Sequence, residues 1–397
     1  MRLADPAGRG LRYRWGVLAG LAGLLLLAGS GQWGLRWGAL AGLALAYVLW
    51  LVWQGLPLNT RPGETTLLPN FGPGNRLTLA RGLAIGLLAG FLAVPRPGDG
   101  LAGWLPAILY TLASIADGLD GYVARRAGHA TQLGAVLDMD FDALGVLVVC
   151  VLGVQWGQLA PVYLLLGVAR YLFVWGGRWR EWRGHPLHPI PESSYRRMVA
   201  GFQMGFLTVV LWPIVPPAGS YLAGLVFIIP TLLIFARDWL VASGRIDVAS
   251  PRYQVARRQT IALTTGWLPA GLRLLILPLM LWVGLLPPDL SGWPAWVALF
   301  GDWGLPWPQG LALLLGLVAL VAGPALALGV VGRLAAFGVM LATAIDFVTL
   351  GADVAARPGH GLLLVASLVV LLAGSGRYAL WQPEEPYMHR RLGEKQP

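Results

Sequence analysis

Between Ala116 and Asp142 the chain reads ADGLDGYVARRAGHATQLGAVLDMDFD, and five of these residues are aspartates: Asp117, Asp120, Asp138, Asp140 and Asp142. The surrounding sequence is apolar. A charged side chain at the centre of a bilayer helix costs roughly 2.5–3.5 kcal/mol on insertion scales, so such a cluster needs a chemical reason. Asp117, Asp120, Gly121 and Ala124 recur at helical spacing and share one face. Asp138 and Asp142 stand four apart at the start of the next helix. The link RRAGHAT is short and polar, so the two helices are expected to be antiparallel neighbours with their acidic faces converging. Left alone, these carboxylates would repel one another. A hard divalent cation with oxygen ligands removes the repulsion and also binds phosphate. The pattern points to a Mg²⁺ or Mn²⁺ site for a substrate carrying phosphates.

The elements that position this cluster are membrane helices. The chain has 397 residues, 56% hydrophobic and 12% charged, with a mean hydropathy of +0.64. These values exclude the soluble globular classes and fit an all-α polytopic membrane protein. Apolar runs of membrane-spanning length lie near 15–30, 35–54, 77–95, 101–123, 133–155, 159–176, 198–216, 219–240, 263–285, 309–330, 334–351 and 361–381. About twelve transmembrane helices are therefore expected. The basic start, Met1 to Arg14, precedes an apolar run and another span follows at once, so it reads as a retained helix. The lone cysteine, Cys150, sits in an apolar run and reads as a small buried hydrophobe.

The formal charge is +10, almost all of it arginine. The arginines gather in short loops between apolar spans, which points to topology and anionic lipid headgroups rather than nucleic acid. One set of alternate loops carries most of them, from Arg2 to Arg390, Arg391 and Lys395; the opposite set holds only Arg36, Arg96 and Arg357. The positive-inside rule then puts both termini and the aspartate cluster on the cytoplasmic face of the inner membrane. Two polar stretches, Leu56 to Asn75 and Ser243 to Thr260, suggest boundaries. They give a two-helix leader (1–55), a six-helix core (56–242), a cytoplasmic linker (243–262) and a four-helix tail with a cytoplasmic end (263–397).

The run Asp117-x-x-Asp120-Gly121-x-x-Ala124-Arg125, eight residues, Gly134, three residues, Asp138, three residues, Asp142 resembles the signature of the CDP-alcohol phosphatidyltransferases at every specified position. The resemblance covers about 75–242. Upstream, NRLTLAR (Asn75 to Arg81) resembles the segment opening the first core helix of that family. The resemblance implies that Asp117, Asp120 and Asp138 hold metal against the pyrophosphate of CDP-diacylglycerol, and that Asp142 is the general base. It implies a donor nucleotide site formed by Gly121, Ala124, Arg125 and Gly134 with Asn75, Thr78 and Arg81. It also implies a homodimer. Asp140 is off the pattern and reads as a hydrated helix-end residue; His129 reads as a solvated loop residue.

ARDWLVASGR (Ala236 to Arg245) resembles a segment of the phosphatidylglycerophosphate synthases, whose acceptor is glycerol 3-phosphate. Arg196, Arg197 and Arg237 are placed to grip a phosphorylated acceptor through bidentate forks. Charge alone does not separate glycerol 3-phosphate from an inositol phosphate. HPLHPIPESS (His185 to Ser194) reads as a loop, since proline flanks both histidines. The last four helices resemble the DoxX-like membrane proteins over roughly 265–382. Within them Arg273 and Asp346 lie in apolar spans and could pair, for structure as readily as for function. Rival readings are a transporter, which predicts inverted repeats, and an assembly factor with an inactive core.

Overall fold

The computed structural model describes residues 6–98, 101–191, 193–215, 217–286, 293–349 and 358–385. Arg2, Arg357, Arg390, Arg391 and Lys395, used in the orientation argument, lie outside the described residues, as do Glu192 and the end of the span expected at 334–351. Every expected span falls on a helix. Helix α1 (Pro6–Gly55) holds the first two, broken at Gly34, whose φ of 85° favours glycine. Then follow α2 (Pro73–Ala89), α3 (Leu101–Arg126), α4 (Gln132–Gln155), α5 (Tyr163–Trp182), α6 (Ser194–Val210) and α7 (Pro217–Ala242). The remainder are α8 (Pro251–Ile261), α9 (Leu268–Trp282), α10 (Trp293–Asp302), α11 (Pro308–Leu328), α12 (Gly332–Thr349) and α13 (Pro358–Ala373). The short α10 was not expected from the sequence. Nor was the helical polar stretch α8, which a π-helical turn, Ala262–Trp267, joins to α9.

The fold is an all-α, multi-pass membrane protein. Among the described residues, six helices are long and apolar enough to cross a membrane by length and composition: Pro6–Leu58, Ala102–Arg126, Gly219–Ala242, Pro251–Trp282, Pro308–Leu328 and Gly332–Thr349. The other expected spans fall short for two reasons. α2, α6 and α13 are 17, 17 and 16 residues long, and α4 and α5 carry charged residues along their faces.

The chain forms two compact units, Met1–Gly176 with Met204–Val215, and Gly177–Gln203 with Pro216–Pro397. In the first, the halves of α1 fold back on each other. Trp15 Nε1 donates to the Leu49 carbonyl at 2.9 Å, and Ala22 and Leu45 bury against Leu83 of α2. Helix α2 packs against both α3 and α4. Its glycines permit this. A Cβ on Gly74 would stand 2.6 Å from the Ala124 Cβ of α3, and one on Gly82 would stand 2.6 Å from the Phe141 ring of α4. The acidic faces of α3 and α4 converge as expected, and α2 packs against both helices because its small residues bring it close to each.

In the second unit, α9 to α13 share a core of Ile276, Met280, Trp296, Ala319, Val339 and Leu363. Arg273 and Asp346, which could have paired, take other partners. Arg273 donates to the carbonyls of Ser375, Arg377 and Tyr378 at 3.0–3.2 Å. Asp346 accepts from Trp296 Nε1 at 2.9 Å and lies 2.8 Å from His360 Nε2. Each charge found a nearer polar partner, as burial demands.

Candidate active site

Three helices set the site. Thr131 caps α4, its hydroxyl accepting from Gly134 N at 3.0 Å. The same hydroxyl meets Asn75 near the start of α2: Asn75 Nδ2 donates to it at 2.9 Å and it donates to Asn75 Oδ1 at 3.1 Å. Asn75 also donates to Asn59 Oδ1 at 3.2 Å, and Asn59 in turn holds the Leu68 and Asn70 carbonyls. The loop before α2, α2 itself and the cap of α4 are thus pinned in register. Gly134 stands at the junction, where a Cβ would lie 2.6 Å from Asn75 Oδ1.

One and two turns along α2, Thr78 and Arg81 face the acids. Both are buried. Thr78 Oγ1 donates to Asp120 Oδ2 at 2.7 Å. Arg81 lies among all four signature aspartates. Its Nη1 is hydrogen-bonded to Asp117 and stands 3.0 Å from Asp138 Oδ1 and 3.9 Å from Asp120 Oδ2. Its Nη2 is 3.3 Å from Asp142 Oδ1 and donates to the Asp138 carbonyl at 2.7 Å. One guanidinium therefore faces four carboxylates, and most of the formal negative charge is left uncompensated.

These residues fit a divalent cation. Asp117, Asp138 and Asp142 each offer an oxygen, all within 4.8 Å of one another. Asp138 Oδ1 is buried and takes no hydrogen bond among the described residues despite its closeness to Arg81. An all-oxygen carboxylate set suits a hard ion such as Mg²⁺ or Mn²⁺. Asp120 lies deeper, bonded to Thr78. The geometry groups Asp142 with Asp117 and Asp138, a closer association than the sequence spacing conveyed.

Gly121 and Ala124 lie on α3 between the acids and its end, with the Arg125 side chain beside Gly121. Arg125 is exposed. Asp140 lies between Asp138 and Asp142 on α4, and the charge of Arg170 on α5 reaches both Asp140 and Asp142. His129 lies over Gly72, its Nε2 3.3 Å from the Asn70 carbonyl. In the second unit, Arg196 Nη1 meets Asp238 Oδ2 at 3.0 Å and Arg237 Nη1 meets Asp238 Oδ1 at 2.7 Å. Arg197 lies beside Arg196 on α6.

Two features escaped the sequence reading. A small pocket lies beside the cluster, lined by Arg81, Tyr110, Ser114, Asp117, Asp142 and Met204 among others. Tyr110, fully buried, has no hydrogen-bond partner for its hydroxyl among the described residues. Its signal was present, since Tyr110 precedes Asp117 by seven residues and so shares its face of α3. The second is Asp238, which sits inside the quoted ARDWLVASGR run and joins two of the arginines singled out there.

A profile of the CDP-alcohol phosphatidyltransferases matches residues 73–230. The CDP-diacylglycerol--glycerol-3-phosphate 3-phosphatidyltransferase of Rickettsia bellii (strain RML369-C) is 32% identical over 144 residues, which are 36% of this chain and 74% of that protein. The protein of the same name from Rickettsia typhi (strain ATCC VR-144 / Wilmington) is 30% identical over 144 residues, 36% of this chain and 75% of its own. No solved structure gives a significant match.

Proposed function

This chain belongs to the CDP-alcohol phosphatidyltransferase family, and on that premise we propose that it makes phosphatidylglycerophosphate, moving the phosphatidyl group of CDP-diacylglycerol to glycerol 3-phosphate and releasing CMP. The observation that carries the reading is the convergence of the four signature aspartates around Arg81. The names of the relatives support the acceptor. The family is generally dependent on divalent metal, and the acid cluster is consistent with that.

In this reading Asp117, Asp120 and Asp138 would hold Mg²⁺ or Mn²⁺ for the donor pyrophosphate. When bound, the cation screens the phosphate charge and stabilises the departing phosphate oxygen. Thr78 fixes the orientation of Asp120. Asn75 holds the start of α2 against α4, and Gly134 leaves room there; Gly121, Ala124 and Arg125 face the nucleotide. Asp142 takes the proton from the acceptor hydroxyl as that oxygen attacks the lipid-bearing phosphorus. The new P–O bond forms as the bond from that phosphorus to CMP breaks, and CMP leaves with the electron pair. Arg196, Arg197 and Arg237 bind the acceptor phosphate, and Asp238 holds two of them in place.

The organisation proposed is a leader over 1–55, a catalytic core over 56–242, a linker over 243–262 and a tail over 263–397. The site faces the cytoplasm from the inner membrane, with both termini on that side, and the active form is a homodimer among membrane lipids. The test is incubation of purified protein with CDP-diacylglycerol and a panel of acceptors, following CMP and the lipid product. Glycerol 3-phosphate is expected to be the preferred acceptor. Preference for an inositol phosphate would keep the chemistry and overturn the acceptor; equal use of free serine or an uncharged alcohol would contradict the arginine site.

A further inference from the structure

Helix α8 is unlike the rest of the chain. None of its residues is buried. Arg252, Arg257 and Arg258 are exposed, and no acidic side chain lies within ion-pair reach of them among the described residues. Yet α8 is not a free linker. It runs through the π-helical turn into α9, making one helical segment of 32 residues, Pro251–Trp282. At 1.5 Å per residue that segment is about 48 Å long. The hydrocarbon core takes about 30 Å, and the remainder is close to the length of α8. The helix therefore comes to the headgroup layer with three unpaired guanidinium groups, beside exposed Val255 and Ile261. Such a juxtamembrane basic segment suits an anionic lipid surface.

One residue of α8 turns inward. Tyr253 Oη accepts from Arg237 Nε at 3.0 Å. The same Arg237 shares Asp238 with Arg196. We propose that α8 docks on anionic phospholipid headgroups and that Tyr253 passes its position to the Arg237–Asp238–Arg196 cluster, so that membrane charge tunes acceptor binding. The second half of this inference rests on the acceptor reading of Arg237. The docking half does not.

The experiment uses the full chain in vesicles. An environment-sensitive dye is attached at Gln259→Cys; the native Cys150 is fully buried and stays unlabelled. In phosphatidylglycerol vesicles the dye emission should shift to shorter wavelength relative to phosphatidylcholine. Molar salt should reverse the shift, because it shortens the screening length to about 3 Å. Arg252→Gln/Arg257→Gln/Arg258→Gln should abolish it. Emission indifferent to lipid charge overturns the docking, and so does the same shift produced by free inorganic phosphate in phosphatidylcholine vesicles. In the second arm the acceptor KM should change about fivefold between the two vesicles, at the low end of coupling between sites. Tyr253→Phe should keep the dye response and lose the KM response. A KM response that survives Tyr253→Phe overturns the coupling. Absence of turnover in both vesicles condemns the transferase reading instead, and the dye still judges the docking.

Discussion

Arg81 and Asp142 occupy the same small space but are expected to fail in different ways when replaced. Arg81 is buried among acids, and removing one partner of a buried ion pair typically costs roughly 3–5 kcal/mol. Arg81→Met should lower the melting temperature in detergent, and Mg²⁺ should restore part of the loss by taking over the neutralisation. A variant that melts like the wild type, or one that Mg²⁺ leaves unmoved, would contradict the repulsion argument. Asp142→Asn keeps shape and removes basicity. Loss of a general base costs about 10²–10⁴ in rate, while CDP-diacylglycerol binding should persist through Asp117, Asp120 and Asp138. Asp117→Asn should weaken metal and donor binding together. The close grouping of Asp142 with Asp117 and Asp138 makes this comparison decisive: if both variants lose donor binding equally, Asp142 is a metal ligand too. EDTA should stop turnover, and Mg²⁺ or Mn²⁺ should restore it; full activity after exhaustive chelation would sink the metal site.

At the scale of elements, the junction of α2 with α4 depends on the absence of one Cβ. Gly134→Ala would press on Asn75 Oδ1 from 2.6 Å and disturb the Asn75–Thr131 bonds, at a cost of about 1–3 kcal/mol. Gly134→Ala combined with Asn75→Ala should cost less than the two separate losses summed, a coupling that a double-mutant cycle reads in melting experiments. Strict additivity would show that the two residues do not press on each other. This junction also marks the limit of what the sequence conveyed. The helices under the twelve apolar runs were legible because apolar length is a one-dimensional signal, though among the described residues only six of those helical segments meet the length and composition of a membrane span. The acid cluster was legible because helical spacing fixes faces. The role of α2 as a wedge was not, since Gly74 and Gly82 acquire meaning only once two other helices stand beside them. Nor could periodicity reveal that Arg81, expected in the donor nucleotide site, meets acids on two other helices. The helical nature of α8 was hidden for another reason: its sequence is polar all round, and its helix is continued by α9 rather than announced by an apolar stripe.

For the whole molecule, the division into two compact units frames a truncation. Removal of everything after Thr260 leaves Met1–Gly176 and Met204–Val215, and with them the four acids, Arg81 and Tyr110. It also strips α13 from α7, against which it packs. The shortened protein should keep measurable turnover and lose thermal stability. A folded truncation without any transferase activity would mean that the tail completes the site. Exposed aliphatic side chains such as Leu24, Leu27, Leu233, Val321 and Leu334 are suited to lipid contact, so these assays belong in detergent or vesicles. The placement of Arg81 has a consequence for how such a chain is made. Synthesis runs from the N-terminus, so α2 leaves the ribosome before α3 and α4. The guanidinium is already present when the aspartates follow, and it offsets part of their charge. The acids are thus partly neutralised before any ion is captured, and the charge that one guanidinium leaves over is what a cation would balance.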